Sequence, residues 1–125
     1  MAIVRPFQAV RPDKEYVQKI ANTEHVKGCK CEMKIVSSRP AMERTERNLS
    51  LFDKMNQIYR ANGMTPLKEK TKNGGSDAAE ITQAGIPCVE CMGIYGGKNH
   101  SKEEFAYISS LTEAAKRLAV VATYI

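Results

Sequence analysis

Apolar side chains recur at helical spacing in two parts of the chain, and a third, short helix is indicated by its end signals. Between Glu43 and Ala61 they stand three or four residues apart, and Asn62-Gly63 is a C-terminal stop signal, so we expect a helix there. A short helix is expected from Asp77 to Ala84, between a glycine-rich turn and a Gly-Ile-Pro break. From Glu103 onward an apolar stripe predicts a long C-terminal helix.

Three further segments have the pattern of β-strands. Cys31 to Val36 alternates apolar and polar side chains, which is typical of a half-buried strand. Met64 to Thr71 has a weaker alternation around Leu67, and Pro87 to Met92 is a nearly continuous apolar run, as in a strand buried on both faces. Gly93 to Ser101 follows as a glycine-rich loop. The succession of strands and helices predicts an α/β layer architecture.

Length and composition narrow the class of protein. With 125 residues, 42% of them hydrophobic and 26% charged, the chain has the size and composition of one soluble globular domain. No apolar run is long enough to span a bilayer, and the start of the chain lacks the apolar core of a signal peptide. We therefore expect a cytoplasmic protein without a membrane partner. The net charge of +5 comes from basic residues scattered among acidic ones, which argues against nucleic acid as a partner.

The four cysteines fall in two close pairs, Cys29/Cys31 and Cys88/Cys91. One interpretation of such pairs is a zinc site with four thiolate ligands. However, Cys88 and Cys91 lie in a predicted strand, where they would point to opposite faces, and Val89-Glu90 does not form the tight turn of a zinc knuckle. We therefore expect small, buried strand residues in a reducing compartment.

A glycine-rich turn precedes the short predicted helix. Gly74 and Gly75 let the backbone approach a ligand closely, and free N–H groups in the first turn of a helix favour a carboxylate or phosphate. Either Ser76 or Asp77 can cap the helix, and Glu80 would complete a capping box with Asp77. The spacing is that of neither a Walker loop nor a dinucleotide-binding loop. The alternative is a tight turn with a good N-cap and no ligand.

Two other side chains stand in loops that follow predicted strands. His100 lies in the glycine-rich loop, where a neutral imidazole can bind zinc or act as a general base. Arg39 lies just beyond the first predicted strand and can hold a carboxylate through two hydrogen bonds. Each could equally be a solvated loop side chain without a ligand.

The order of these motifs resembles one enzyme family. Ser-Arg-Pro-Ala-Met-Glu, Gly-Gly-Ser-Asp-Ala, Gly-Ile-Pro and Gly-Gly-Lys-Asn-His-Ser-x-Glu-Glu follow one another as in a group of zinc-dependent exopeptidases and deacylases. This group includes carboxypeptidase G, aminoacylase, acetylornithine deacetylase and succinyl-diaminopimelate desuccinylase. The resemblance covers Asn22 to Ile125 and corresponds to the C-terminal half of the family's chain. It implies a three-layer α/β/α fold truncated to that half, with the last strand of the lid domain at about residues 29–38.

The same resemblance assigns roles to the loop residues. His100 is similar to the family's last metal ligand, which binds one ion of a two-zinc centre. The loop from Gly74 to Asp77 resembles the one that lines the substrate side of that centre. Arg39 resembles the lid-domain arginine that holds the substrate's terminal carboxylate, often across a dimer. In such enzymes a metal-bound hydroxide attacks an amide carbonyl with a glutamate as base, so the implied substrate is a small peptide or an N-acyl amino acid.

Several parts of the family pattern have no counterpart in this chain. The His-x-Asp motif, the bridging aspartate and the Glu-Glu pair that supply other ligands are missing, since Glu103-Glu104 follows His100 and is not the matching position. Residues 1–20 do not match the family, so we take 1–21 as an unrelated leader and 22–125 as the C-terminal half of a metallopeptidase-like catalytic domain. We expect a zinc metallopeptidase fragment that is inactive alone and works as a homo-oligomer or with a missing N-terminal half. The alternative is a non-catalytic module that binds small carboxylates or mediates oligomerisation.

Overall fold

The computed structural model describes residues 14–36, 39–71 and 74–125, which are mostly helical and include one small sheet. The predicted leader, 1–21, lies outside these residues except for its end. In chain order the elements are α1 (Lys14–Asn22), α2 (Glu46–Ala61), α3 (Ala78–Gln83), β1 (Gly96–Gly97), β2 (Phe105–Ala106) and α4 (Ile108–Tyr124). No helix among them is long and apolar enough to cross a membrane.

Helix α2 confirms the prediction for the middle of the chain, with a later start than expected from Glu43. It begins at Glu46 because Thr45 is extended and accepts a hydrogen bond of 3.3 Å from the backbone N–H of Asn48. It ends as expected, since Gly63 has a φ of +67°, which favours glycine, and its N–H donates to the Arg60 carbonyl.

Helix α4 begins at Ile108, five residues later than the sequence pattern indicates. Residues 105 and 106 are taken by an antiparallel pairing in which Gly96 faces Ala106 and Gly97 faces Phe105. Glycine is required at position 96, because a Cβ atom there would lie 2.0 Å from the Phe105 carbonyl oxygen. Because residues 105 and 106 belong to this pairing, α4 cannot begin at Glu103 and starts after it, at Ile108.

The three longer strands predicted from the sequence do not form. Residues 31–36, 64–71 and 87–92 carry no strand in the described parts of the chain, except that Glu90 makes an isolated β-bridge. The predicted lid strand at 29–38 is also absent over its described residues, 29–36, which are mostly exposed. A strand needs a neighbouring strand to take its N–H and C=O groups, and hydrophobic alternation alone does not supply one.

The main core lies between α2 and α4. Phe52, Met55 and Tyr59 of α2 pack with Leu67 and with Val121 of α4, and all five are nearly or fully buried. Each buried aliphatic or aromatic side chain of this kind stabilises the fold by about 1.5–3 kcal/mol. This contact fixes α4 against α2.

A second, smaller core places α3 near the N-terminal end of α2. Met42 packs with Ala78 and Ala79 of α3, and Cys88 lies against them half-buried. The short α3 helix of the sequence analysis is thereby confirmed, at Ala78–Gln83.

The cysteines depart from the sequence expectation. Cys29, Cys31 and Cys91 are exposed free thiols, and Cys88 is half-buried. The expectation of buried strand residues is therefore wrong: three of the four thiols are exposed, and none of the four cysteines lies in a strand, because the segments that hold them do not pair into a sheet.

Candidate functional site

The site is built around an ion pair between two residues that the sequence singled out separately. Arg39 Nη1 donates to Asp77 Oδ1 over 2.7 Å. Gly75 lies beside this arginine, since a Cβ atom at position 75 would be 3.7 Å from Arg39 Cδ. Both charged side chains are largely open to solvent, with 59% and 89% of their surfaces exposed. The structure thus brings the arginine to the glycine-rich loop.

Ser76 ties the same loop to a carboxylate that the sequence analysis did not select. Its hydroxyl donates to Glu90 Oε2 and accepts a hydrogen bond of 3.2 Å from the Ala78 N–H. Ser76 therefore provides the side-chain cap at the start of α3, whereas Asp77 makes no capping bond with its side chain. Of the two candidate caps, Ser76 is the one whose side chain bonds to the helix, so the capping box that depended on Asp77 does not form.

The first turn of α3 does not offer its N–H groups to an anion. Ala78 donates to the Ser76 hydroxyl, Ala79 to the Ser76 carbonyl and Glu80 to the Asp77 carbonyl, at 3.1 to 3.2 Å. These three N–H groups therefore have protein partners in the described structure, and the assignment of the loop from Gly74 to Asp77 to the substrate stays a prediction. Arg39 brings a positive charge to this loop through its contact with Asp77.

A buried asparagine holds this region in place. Asn48, with none of its surface exposed, donates from Nδ2 to Thr82 Oγ1 at 3.1 Å and accepts at Oδ1 from the Cys88 N–H at 2.9 Å. The same Nδ2 donates to the Glu43 carbonyl at 3.0 Å. One carboxamide thus joins α2 and α3 to the segment that carries Glu90.

His100 lies in a separate turn. Its φ of +66° is in the left-handed region, and its N–H donates to Glu104 Oε2 at 3.2 Å. Lys98 and Glu103 form an ion pair across the same turn, and Ser101 Oγ donates to the Lys98 carbonyl at 2.7 Å. The loop is therefore held by bonds among its own residues, and His100 is exposed.

Next to this turn, a cleft of about 450 Å³ opens between the 91–99 segment and α4, with Asn99 on its wall. The charged side chains that line it, Glu113 and Arg117, bond to each other, and Arg117 also bonds to the backbone. Arg117 bonds to Glu113 at 3.1 Å and to the Thr65 carbonyl at 2.9 Å, and its guanidinium lies 5.0 Å from the ring centre of Tyr59. The cleft wall therefore belongs to the α2–α4 scaffold.

Comparison with known protein families decides the identity. The model of peptidase family M20/M25/M40 matches residues 4–124, which is nearly the whole chain. The chain belongs to this family. The resemblance inferred from the motif order is thereby confirmed, and membership implies an α/β fold. The match starts at residue 4, within the stretch 1–20 that was expected to lie outside the family, and the division of the chain at residue 21 stays a prediction.

A curated relative supports the assignment to the M20/M25/M40 family. Over 78 residues the chain is 35% identical to carboxypeptidase G2 of Pseudomonas sp. (strain RS-16). The aligned part is 62% of this chain and 19% of the relative, so the chain spans about a fifth of that protein's length. No solved structure matches the chain significantly.

The metal centre implied by the resemblance to zinc exopeptidases does not fit the described side chains. Within residues 14–36, 39–71 and 74–125, no three His, Cys, Asp or Glu side chains lie close enough to hold a metal ion. His100 thus has no set of companion ligands in this part of the chain. Its assignment as a metal ligand stays a prediction, as do the assignments of Arg39 and of the loop from Gly74 to Asp77.

Glu90 is the residue of this M20 chain that sequence reasoning missed. It was considered only as part of the spacer between Cys88 and Cys91. A signal was present, because a charged residue inside an otherwise apolar run is rarely buried without a partner. Glu90 is half-buried and accepts the hydrogen bond from Ser76.

Proposed function

We propose that this chain supplies the carboxylate-recognising part of a metallopeptidase-like hydrolase that cleaves the amide bond of a small peptide or an N-acyl amino acid. The observation that carries the proposal is the pairing of Arg39 with the glycine-rich loop through Asp77 at 2.7 Å. Membership of the peptidase family and the similarity to a carboxypeptidase support the same class of reaction.

The ion pair explains how the site would take a ligand carboxylate. An arginine has five N–H donors in a planar fork, and a carboxylate matches two of them at once. Asp77 is a single-point partner on the surface, and exposed pairs of this kind contribute only about 0–1 kcal/mol. A ligand carboxylate with bidentate geometry therefore displaces Asp77 at small cost.

Zinc binding would require ligands beyond those that the described residues bring together. We expect His100 to join a metal centre only when further ligands come from outside the described ranges or from a partner chain. The 125-residue chain by itself is accordingly proposed to bind without turnover. We further propose that the complete protein has the three-layer α/β/α fold and a cytoplasmic location.

The binding half of the proposal is tested by titration calorimetry. N-acetylglycine is compared with N-acetylglycinamide, which has the same shape without the carboxylate. We expect heat from the acid alone, and we expect Arg39→Ala to abolish it. Arg44→Ala is the matched control, because Arg44 is also an exposed arginine but pairs with Glu69 through two hydrogen bonds of 3.1 and 3.2 Å. Equal heats for the acid and the amide would rule out carboxylate recognition.

The catalytic half is tested separately. The chain is purified, supplied with zinc, and incubated with N-acetyl amino acids and dipeptides, and release of free amino groups is measured. We expect none. Turnover together with two zinc ions retained per chain after gel filtration would show that the chain is a complete enzyme and refute the inactivity proposal.

A second candidate, a non-catalytic module for small carboxylates, is favoured by one observation. The described residues hold an arginine site but no group of metal ligands. The two functions are separated by adding polypeptide that contains the missing His-x-Asp and Glu-Glu motifs. Restored hydrolysis supports the enzyme fragment, whereas binding that never leads to hydrolysis supports the module.

A further inference from the structure

Asp77 is the anionic half of the ion pair with Arg39, and its carboxylate takes no part in capping α3. Asp77 Oδ1 accepts from Arg39 Nη1 over 2.7 Å, 89% of the aspartate side chain is exposed, and it makes no capping bond to the helix. A ligand carboxylate that takes over the arginine therefore leaves a second carboxylate, that of Asp77, open to solvent beside the ligand.

The backbone around Asp77 is held by bonds that do not involve Arg39. The Asp77 carbonyl accepts from the Glu80 N–H at 3.1 Å, and the hydroxyl of the neighbouring Ser76 donates to Glu90. These bonds persist when Arg39 turns to a ligand. The Asp77 carboxylate accordingly stays close to whatever group the arginine has bound.

Two carboxylates that meet at one arginine repel each other unless a further cation lies between them. A ligand whose carboxylate is one carbon atom away from an ammonium group supplies that cation. Its carboxylate fits the planar fork of Arg39, and its ammonium group has three N–H donors that can reach Asp77. An acylated nitrogen is uncharged and carries a single N–H, so it relieves the repulsion much less.

We propose that Arg39 and Asp77 together form a site for a free α-amino acid, in which Arg39 binds the carboxylate and Asp77 accepts from the ammonium group. This rests on the function proposed above, since it uses the same arginine, and it adds a ligand class and a second binding residue. The observation that carries it is that two opposite charges, joined at 2.7 Å, are both open to solvent on one loop.

A free amino acid is also a product of the proposed hydrolysis. When an N-acyl amino acid is cleaved, the C–N bond of the amide breaks, and water gives its oxygen to the released carboxylate and both of its protons to the nitrogen. The uncharged amide nitrogen thereby becomes an ammonium group, which Asp77 binds. The site therefore holds the released amino acid more tightly than the N-acyl substrate.

Glycine and propionate are the probes, because they have the same shape and differ in an ammonium group against a methyl group. Their affinities are measured by NMR titration of the isotope-labelled 125-residue chain. We expect glycine to bind about three- to fivefold more tightly, as for an exposed charge pair. Asp77→Asn should bring this ratio to about one, and Arg39→Ala should abolish binding of both. Asp53→Asn, at an exposed position of α2, is the matched control and should leave the ratio unchanged.

N-acetylglycine, added as a third ligand, separates this inference from the carboxylate site itself. If N-acetylglycine binds through Arg39 but glycine binds no more tightly than propionate, Asp77 binds no ammonium group, and the inference is refuted while the carboxylate site stands. A glycine preference that survives Asp77→Asn, in a chain shown to be folded by circular dichroism, refutes it as well. If none of the three acids binds the folded wild-type chain, the carboxylate site and the amino acid site are both refuted.

Discussion

Arg39 and Asp77 are 38 positions apart in the sequence, and their side chains are joined by a hydrogen bond of 2.7 Å. The pair brings together two side chains that the M20 resemblance assigns to the substrate. It also means that a ligand carboxylate meets an arginine that already has an anionic partner.

Asp77→Asn should therefore strengthen carboxylate binding. The substitution keeps the shape of the side chain and removes the negative charge that competes for Arg39, whose contribution in an exposed pair is below about 1 kcal/mol. We expect the affinity for N-acetylglycine to rise by about two- to fivefold, measured by calorimetry. A loss of affinity would show that Asp77 positions the arginine rather than competing with the ligand.

Asn48→Ala should destabilise the chain strongly. The change removes hydrogen bonds to Thr82, to the Glu43 carbonyl and to the Cys88 N–H, and leaves buried polar groups without partners. We expect a loss of about 2–4 kcal/mol in the free energy of unfolding, measured by urea titration. Gln57→Ala, at an exposed position of the same helix, should change it by less than about 0.5 kcal/mol.

Gly96→Ala tests the small sheet. The new Cβ atom would meet the Phe105 carbonyl oxygen at 2.0 Å, so the β1–β2 pairing must open or shift. We expect a loss of about 1–3 kcal/mol. Gly93→Ala is the control, since a Cβ atom there meets nothing within 4 Å. Equal stability of the two variants would show that the pairing does not contribute to the fold.

Cys88 should be the slowest of the four thiols to react with iodoacetamide. Burial, and secondarily the Glu90 carboxylate, raise the pKa of Cys88 above its usual value of 9.0, so less thiolate is present at pH 8. Glu90→Gln should lower the pKa and speed the reaction, as followed by mass spectrometry of the labelled peptides. The raised pKa also implies stability that is fully present below pH 9.0 and is lost as the pH rises through the pKa of the folded state. Labelling of Cys88 as fast as that of the exposed Cys29 would contradict this prediction.

The sequence predicted elements whose signals are local. Helix α2 was found because its apolar spacing and its Asn62-Gly63 end lie within one stretch, and α3 because Ser76 precedes it as a cap. The start of α4 was missed, because it depends on Phe105 pairing with Gly97, a contact that hydrophobic spacing does not encode.

The strand predictions failed for a related reason. The alternation from Cys31 to Val36 indicates only that one face is more buried than the other. It does not specify which neighbouring segment would supply the backbone hydrogen bonds. For the candidate site, the motif order indicated Arg39 and the 74–77 loop, but it could not show that Ser76 bonds to Glu90. That contact depends on the packing of α3 against the segment after it.

The side chain of Asn56 bonds to both backbone groups of Leu67, as a neighbouring strand would. Its Oδ1 accepts from the Leu67 N–H at 2.7 Å, and its Nδ2 donates to the Leu67 carbonyl at 3.3 Å, both in the buried interior. The exchange of the Leu67 backbone amide proton with solvent deuterium is thus coupled to the opening of α2, although Leu67 belongs to no helix or strand. Slow exchange of the Leu67 amide would report the unfolding of the helix that faces it.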